Sequence, residues 1–440
     1  MTSPRAVPTG IDGLEWLDTH TLENGRESVV VPFPTSDLVH IVFHGEQPFS
    51  HGHYGFHLGL EDRLTFLGSR EKTATGHFVD CRRDSPTFHR KVDLTFHPSV
   101  SRTLRIPCGV GHCFDDLDGV FTLNTFRAYL PPPDVLMTDK NPWATGADIL
   151  NFPLDSADEE LPIADPNPYP ASPRFYELLS RMQSETLGSV DHEYPFTEEV
   201  TLPDGTVSTL MIRKRLTHQQ RVPEWEQIDG IHGLGWSRHL AVWSGDDAGY
   251  VALTDPAPVQ VIDHGTSPYA TDAYGIHLEW EDRLTFLGPL DQSVEMRFID
   301  CRRDSPTYHA ELVYTFKPSP LRAMVIPAGV AHAPAGMENV FTVNRPRRCA
   351  GDPTVFEPGN DVIDWPLSKR PAPTFEISPA DFEFAFYRTL ADRQRRYLAN
   401  APAVSSTPAT MFVSDDDGRT VKVALRKIHA DGGGSELLQR

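Results

Sequence analysis

No hydrophobic run in this sequence approaches the ~20 residues a helix needs to span a bilayer. The first residues, MTSPRAVPTGIDG, lack the apolar core of a secretory signal. Cysteine is scarce, 5 in 440 residues, with no Cys-x-x-Cys pair. An odd handful in a long chain does not make a disulfide framework. Cys108 and Cys113 flank His112 without zinc-knuckle spacing. Positive charge is in deficit: 40 Lys+Arg against 61 Asp+Glu leave a formal charge of −21. That balance argues against non-specific binding to nucleic acid or an anionic membrane, which needs clustered Lys and Arg. A cytoplasmic chain is the expectation, with no membrane and no nucleic-acid partner. Its length predicts two or three domains at ~150 residues each. A hydrophobic fraction of 39% with 24 Phe suffices for globular cores.

What is present is a tandem repeat, the first thing to seek because it determines the fold reading. YGFHLGLEDRLTFLG from Tyr54 recurs as YGIHLEWEDRLTFLG from Tyr274, and DCRRDSPTFH from Asp80 recurs as DCRRDSPTYH from Asp300. RIPCGVGH, ending at His112, recurs as VIPAGVAH, ending at His332, and GVFTLN, ending at Asn124, as NVFTVN, ending at Asn344. The offset is 220 throughout, and 22 of the 41 positions Tyr54–Leu94 are identical in Tyr274–Tyr314. GIDGL from Gly10 pairs with QIDGI from Gln227, and RFYELLSRMQ from Arg174 with AFYRTLADRQ from Ala385, at offsets of 217 and 211. The drift falls where surface loops gain or lose residues.

Each half reads mostly as strand. Short runs rich in Val, Phe, Leu and Thr alternate with turn signals such as PTSD, HGEQP, RRDSP and DDLDG. Many short strands at ~8–12-residue spacing predict a sandwich or barrel, and a jelly roll limits exposed edges. Each half ends in an appendage: helical spacing over Phe175–Leu187 and Phe384–Leu398, then hairpin signals, PDG after Leu202 and DDDG at Asp415–Gly418. The expected units are a first sandwich over 1–173, its helix–hairpin over 174–217, a second sandwich over 218–383 and its helix–hairpin over 384–440.

The first group able to carry chemistry is His57, Arg63, His112, Tyr129 and Asp165. A sandwich interior can bring them together, although an isolated His on a strand commonly serves as a hydrogen-bonded packing residue. Here the sequence resembles a known family. VDCRRDSPTFH is similar to the D-x-R-x-x-S-P-T-F-G signature of dTDP-4-dehydrorhamnose 3,5-epimerases, the RmlC-like cupins, and RIPCGVGHCF to their I-P-x-G-x-A-H-G-F turn. GFHL and DRLTFLG resemble their R-G-L-H-Y-Q and K-L-V-R-V segments, and NPWATGADILNFPL and LPIAD their later W-x-D-P and L-S-x-K-D stretches. The likeness spans about Gly10–Pro173 and Gln227–Asp381, and the appendages lie outside it.

The resemblance implies two tandem RmlC-like cupin jelly rolls and epimerase chemistry next to a ketone on a 4-keto-deoxy sugar, expected to be nucleotide-linked. It makes His57 the base and Asp165 its partner. Tyr129 becomes the acid on the opposite face, and Arg63 stands where a Lys stabilises the enolate. The second-half counterparts are His277, Asp381 and Arg283, with His332 matching His112 and Cys349 standing at the position of Tyr129. Arg82, His112, Tyr54, His89 and Trp143 are the expected substrate-side residues. The physical logic is that a proton next to a ketone is weakly acidic. Its base must be held close, and the enolate must meet fixed positive charge or a donor. An imidazole titrates near working pH. Two departures stand out: the family's diphosphate-holding Arg is Tyr54 here (Tyr274 in the second half), and the Gly after SPTF is His89 (His309).

No redox cofactor is implied. A competing reading takes His51, His53, Glu61 and His112 as the ligands of one divalent metal in the first cupin, serving an oxygenase or isomerase. A third is a non-catalytic carbohydrate-binding bicupin. The expected partner is a small sugar or sugar nucleotide. The two halves are expected to pack as an intrachain pseudo-dimer, and a homo-oligomer stays open. Trp143 and Trp365 are placed at the mouths of the sandwiches, and the acidic stretch Asp155–Glu160 in a solvated loop.

Overall fold

The computed structural model describes residues 6–23, 28–33, 35, 38–48, 50–131, 150–172, 175–176, 196–201, 207–212, 225–244, 248–253, 257–268, 270–350, 361–400, 404–414 and 420–430. The chain is mainly β, and Phe384–Asn400 is the one long α-helix among the described residues. No helix among them is long and apolar enough to cross a membrane.

Each half is an antiparallel sandwich of a larger and a smaller sheet. In the amino-terminal half the larger sheet contains, side by side, Glu15–Asp18, Ser99–Ile106, Leu60–Leu67, Phe121–Asn124 and Val39–Phe43. The smaller sheet runs Leu150–Pro153, His53–Phe56, Val110–Asp115, Ala74–Asp80, Lys91–Phe96. The carboxy-terminal half repeats the order, with Gly235–Arg238, Ser319–Ile326, Trp280–Leu287, Phe341–Asn344 and Val259–Asp263 facing Asp361–Pro366, Ala273–Ile276, Val330–Ala335, Val294–Asp300 and Glu311–Phe316. These are two tandem cupin-type jelly rolls. Alternation along each strand sends every second residue between the sheets. Leu64, Phe66, Phe78, Leu104 and Phe114 pack there in the first half, and Leu284, Phe286, Phe298, Met324 and Ile326 in the second.

The halves exchange strands. Val29–Phe33, from the amino-terminal half, pairs with Val259–Asp263 in the other half's larger sheet. Reciprocally, Ala248–Leu253 pairs with Val39–Phe43. Each larger sheet is therefore completed by the other half, and one core spans both. In it Val31, Ile41 and Leu123 pack with Val251, Val261 and Val343. At ~1.5–3 kcal/mol for each fully buried aliphatic side chain, this core ties the halves into one unit. Arg70 adds an ion pair to Asp263 at 2.9 Å across the seam.

The DCRRDSPT signature is a structural clamp. Asp80 is fully buried at the end of its strand and accepts from Arg82 Nε and Nη2 (both 2.8 Å), Ser85 Oγ (2.5 Å) and Thr87 Oγ1 (2.7 Å). Arg82 also donates to the Asp12 carbonyl at 2.6 Å, pinning the first turn of the chain. Asp300, Arg302, Ser305 and Thr307 repeat the arrangement. The expected ligand-side role of Arg82 is thus corrected: its guanidinium is consumed by a buried carboxylate. His89 is corrected too. It holds a turn at φ +60°, with its ring stacked 3.7 Å from that of Phe88. A left-handed residue is needed there, which explains why the resembled signature has Gly; His is among the side chains that tolerate this region.

The appendages dock through one tyrosine each. Tyr176 Oη accepts the Ala128 N–H at 2.8 Å, and Tyr387 Oη accepts the Arg348 N–H at 3.0 Å. The hairpins form from 196–201 with 207–212 and from 404–414 with 420–430, the latter extending the smaller sheet through Asp361–Pro366. The expected first helix lies outside the described residues beyond Tyr176, as does Trp143. Trp365 is buried in the core, its indole N–H donating to the Lys369 carbonyl at 3.1 Å.

Asp80→Ala leaves the Arg82 charge stranded and removes the acceptor for two hydroxyls. It is expected to cost about 3–5 kcal/mol, read as a drop in the denaturant midpoint with little change in slope.

Candidate functional site

Strand alternation selects which side chains reach the amino-terminal cavity. On His53–Phe56 the odd positions His53 and Gly55 face inward, and His57 follows in the turn. Gly55 lies opposite His112 in register and supplies no side chain, which leaves room between the imidazoles. On Leu60–Leu67 the even positions Leu60, Asp62 and Leu64 face inward. The cavity, about 250 Å³, is further lined by His40, His44, His51, Asn124 and Asn151.

At its floor His57 Nε2 lies 3.5 Å, and His112 Nε2 3.4 Å, from the same oxygen, Asp62 Oδ2. Asp62 Oδ1 accepts from Asn124 Nδ2 at 2.7 Å, and Asn124 Oδ1 accepts the Arg63 N–H at 3.0 Å. The carboxylate is therefore aimed from behind. His57 is set by its carbonyl, which accepts the Gly109 N–H at 2.7 Å. Gly109 sits at φ +79°, and a Cβ there would come within 2.7 Å of Arg82 Cγ, so the Pro-x-Gly-x-x-His turn requires it. The second half reproduces the cluster. His277 Nε2 and His332 Nε2 both lie 3.3 Å from Asp282 Oδ2, and Asn344 Nδ2 donates to Asp282 Oδ1 at 2.8 Å.

The protons in these clusters can be placed. His112 Nδ1 lies 3.2 Å from the Val110 carbonyl and His332 Nδ1 3.3 Å from the Val330 carbonyl. A carbonyl only accepts, so each Nδ1 carries a proton, and in the neutral form of the ring Nε2 turns a lone pair at the carboxylate. Burial lowers the pKa of both rings; Asp62 and Asp282 oppose that shift, and His57 and His277 add to it. Two acceptors face one another at distances longer than an ordinary N–H···O bond, which runs to about 3.2 Å. They match the edge of about 3.4 Å between ligands set tetrahedrally around a divalent ion at about 2.1 Å. The ligand atoms of each triad all lie within 4.8 Å of one another. An imidazole pinned through Nδ1–H to a backbone carbonyl is the usual bearing of a metal-bound histidine. The residues fit a first-row divalent cation.

Several expected residues lie elsewhere. Asp165 does not face His57; it is about half-exposed (47%) and pairs with Arg83 at 3.4 Å. Arg63 and Glu61 project from the opposite face of the strand that carries Asp62. Glu61 there accepts from Arg63 Nε (2.9 Å), Arg105 Nε (3.1 Å) and Tyr129 Oη (3.4 Å). Glu61 is thus removed from the expected ligand set and Asp62 takes that place. Arg63 and Tyr129 are removed from the enolate and proton-donor positions. Burial, with the Glu61 carboxylate beside it, raises the Tyr129 phenol pKa and weakens it further as an acid. Tyr54 also faces away, buried and stacked on Phe152 at 5.1 Å. Arg283 mirrors Arg63 by pairing with Glu281, and no contact joins Asp381 to His277 among the described residues. Cys349 holds the backbone position of Tyr129, its N–H bonded to the Glu279 carbonyl as that of Tyr129 is to Gly59.

His51 and His53, expected as metal ligands, line the cavity but lie outside the cluster of His57, Asp62 and His112; His40, His44 and Asp62 were missed. The signal for Asp62 was parity within LEDRLTF, where Asp62 shares the face of Leu64 and Phe66. His44 sits 3.1 Å from Thr122 Oγ1, and burial, with His51 nearby, pushes it down to about 3. Burial pushes the Cys113 thiol in the same wall up to about 12, so it is no nucleophile.

No family model matches this chain, and no curated protein matches it. Among solved structures, a dTDP-4-dehydrorhamnose 3,5-epimerase from Elizabethkingia anophelis is 14% identical, over 29% of this chain and 80% of that one, with a TM-score of 0.19. Vicilin from hazelnut, Corylus avellana, is 10% identical over 80% and 89% of the two chains, TM-score 0.23. An oxalate decarboxylase from Bacillus subtilis is 10% identical over 78% and 79%, TM-score 0.22. Likenesses this weak say nothing of chemistry, and the cupin-type sandwiches are recognised by their strand order.

Burial pushes Asp282 up, but at the low pH where it titrates the positive charge on protonated His277 and His332, with hydrogen bonds from His277 and Asn344, outweighs burial and holds the carboxyl at about 2. A depressed carboxyl stabilises the fold fully above its ordinary value near 4 and loses that contribution as pH falls towards 2. Denaturation midpoints measured from pH 6 down to 2.5 are expected to fall more steeply for the native protein than for Asp282→Asn.

Proposed function

We propose that the amino-terminal cavity is the active site of a cupin isomerase or epimerase that moves a proton at carbon next to a ketone. Its substrate is a 4-keto-deoxy sugar, and a divalent cation is held by His57, Asp62 and His112. The observation that carries this reading is the pair of imidazole nitrogens converging on one carboxylate oxygen at 3.5 and 3.4 Å, beside a cavity whose mouth holds two more imidazoles. A bare carboxylate beside a developing enolate would raise the barrier. A divalent cation held by His57, Asp62 and His112 would reverse that sign and would supply Lewis-acid polarisation of the ketone oxygen.

The chain's own residues perform the remaining work. His51 or His53 takes the proton from carbon as the C–H bond breaks, its electron pair passing to the ketone oxygen, and the proton returns to carbon in the product. Asn124 keeps Asp62 aimed. The volume suits a single sugar ring. No Lys or Arg lines it among the described residues, and the position of the resembled diphosphate-holding Arg is the buried Tyr54. A nucleotide, if attached, would rest outside the cavity.

A metal-free version has one observation in its favour: His57 already faces a buried carboxylate, Asp62, which takes the part the resemblance gave to Asp165. In that version His57 itself is the base.

Incubation with a 4-keto-6-deoxy sugar, free and nucleotide-linked, in deuterated water separates the readings. Deuterium is expected to enter carbon next to the ketone. Wash-in should fall roughly 10²-fold or more in His57→Ala, in Asp62→Asn and after treatment with a chelator, returning on addition of Mn(II), Fe(II) or Zn(II). Wash-in that survives chelation and falls only with His57 selects the metal-free version. No wash-in with any keto sugar overturns both.

A further inference from the structure

The second cluster has the geometry of the first without its surroundings. His277, Asp282 and His332 converge within 3.3 Å contacts on one carboxylate oxygen, with Asn344 behind Asp282 and the Val330 carbonyl behind His332. His44 is kept as His264, 3.0 Å from Thr342 Oγ1, but other residues that line the first cavity are replaced. By the 220-residue offset and strand register, His40 becomes Gln260, His51 becomes Thr271, His53 becomes Ala273 and Leu60 becomes Trp280, itself buried. Ala273 supplies no imidazole at the position of His53, and Trp280 packs with Ala257, Tyr387 and Leu390. The ligand set survives where the proton-moving groups are gone.

We propose that His277, Asp282 and His332 form a second divalent-cation site, which serves to hold the carboxy-terminal sandwich together and takes no part in turnover. Asp282 comes from the larger sheet, on Trp280–Leu287. His332 comes from the smaller sheet, on Val330–Ala335, and His277 from the turn that joins the two, after Ala273–Ile276. An ion bound by all three cross-links the two layers at the end of the sandwich where no covalent bond does so; all five cysteines are free. Because the ligands lie on separate elements, binding is coupled to folding, and removing the ion acts on stability. The ligand chemistry, two imidazoles and one carboxylate, suits a first-row divalent ion such as Zn(II) over Mg(II) or Ca(II). The inference rests on the same geometric reading as the amino-terminal site but concerns different residues, so the two stand or fall separately.

The test is a metal count on the full chain loaded with Zn(II) and freed of excess, together with thermal unfolding with and without EDTA. The native protein is expected to hold about two ions per chain. Asp62→Asn is expected to hold about one and still to lose several degrees of Tm on chelation. His277→Gln and Asp282→Asn should each hold about one, keep the native far-ultraviolet circular dichroism at low temperature, and show no chelator-dependent loss of Tm beyond that of the amino-terminal site. If either carboxy-terminal variant fails to fold, the other and the Asp62→Asn count still decide. About one ion in the native protein that vanishes in Asp62→Asn overturns the second site and leaves the first. About one that vanishes in His277→Gln upholds the second site and removes the first. No ion retained in any form overturns both.

Discussion

A carboxylate buried at the end of each sandwich has to be matched by positive charge or donors, and much of the surrounding architecture answers that demand. Taking an ion from water is costly unless geometry and hydrogen bonds compensate. At Asp62 one oxygen is satisfied by the Asn124 amide, while the other is met by two rings whose remaining nitrogen, in His112 at least, has already given its proton to a backbone carbonyl. A cation held at the shared oxygen, as proposed, would complete the arrangement. Without one, an extra proton must be carried by a buried ring whose pKa burial has lowered. The same demand explains why Asn124 and Asn344 occupy equivalent positions on the strands next to those bearing Asp62 and Asp282.

Reciprocal strand exchange gives these sites a firm frame. Val29–Phe33 and Ala248–Leu253 cross to the opposite halves, so neither larger sheet is finished by its own contiguous sequence. The strands bearing Asp62 and Asp282 lie inside those sheets, with two strands between each and the crossing strand. The shared core of valines, leucines and phenylalanines thereby steadies both sites. Duplication within one chain also lets the two cavities diverge while the frame is kept in common. The first has His40, His51 and His53 in its lining; the second has Gln260, Thr271 and Ala273 there and keeps only His264, the counterpart of His44.

Much of the fold was legible because period-two alternation, turn chemistry and an internal repeat are local signals. The SPTF motif, the Pro-x-Gly-x-x-His turn and the hairpins all occupy the elements expected of them. The chemistry was less legible, and parity is the reason. In LEDRLTF a carboxylate and a guanidinium adjoin Asp62 on either side, and only the face each residue takes tells which of Glu61, Asp62 and Arg63 sees His57. Aligning this segment to a resembled motif one residue out of register exchanges the inner and outer sets. Asp165 posed a different difficulty: it approaches the site from a distant loop, and its pairing with Arg83 depends on where that loop comes to rest.

By itself the amino-acid sequence determined that the chain is a duplicated, strand-rich pair of sandwiches, and it put His57 and His112 among several candidate site residues, because repeats, turn residues and alternation are written within a few residues of one another. Only the tertiary structure decided that Asp62 rather than Asp165 stands against those rings, that Arg82 serves a buried carboxylate, and that the halves interlock by trading strands. Those outcomes depend on which faces and which distant segments are brought together, and contacts of that kind are settled by packing across the whole molecule.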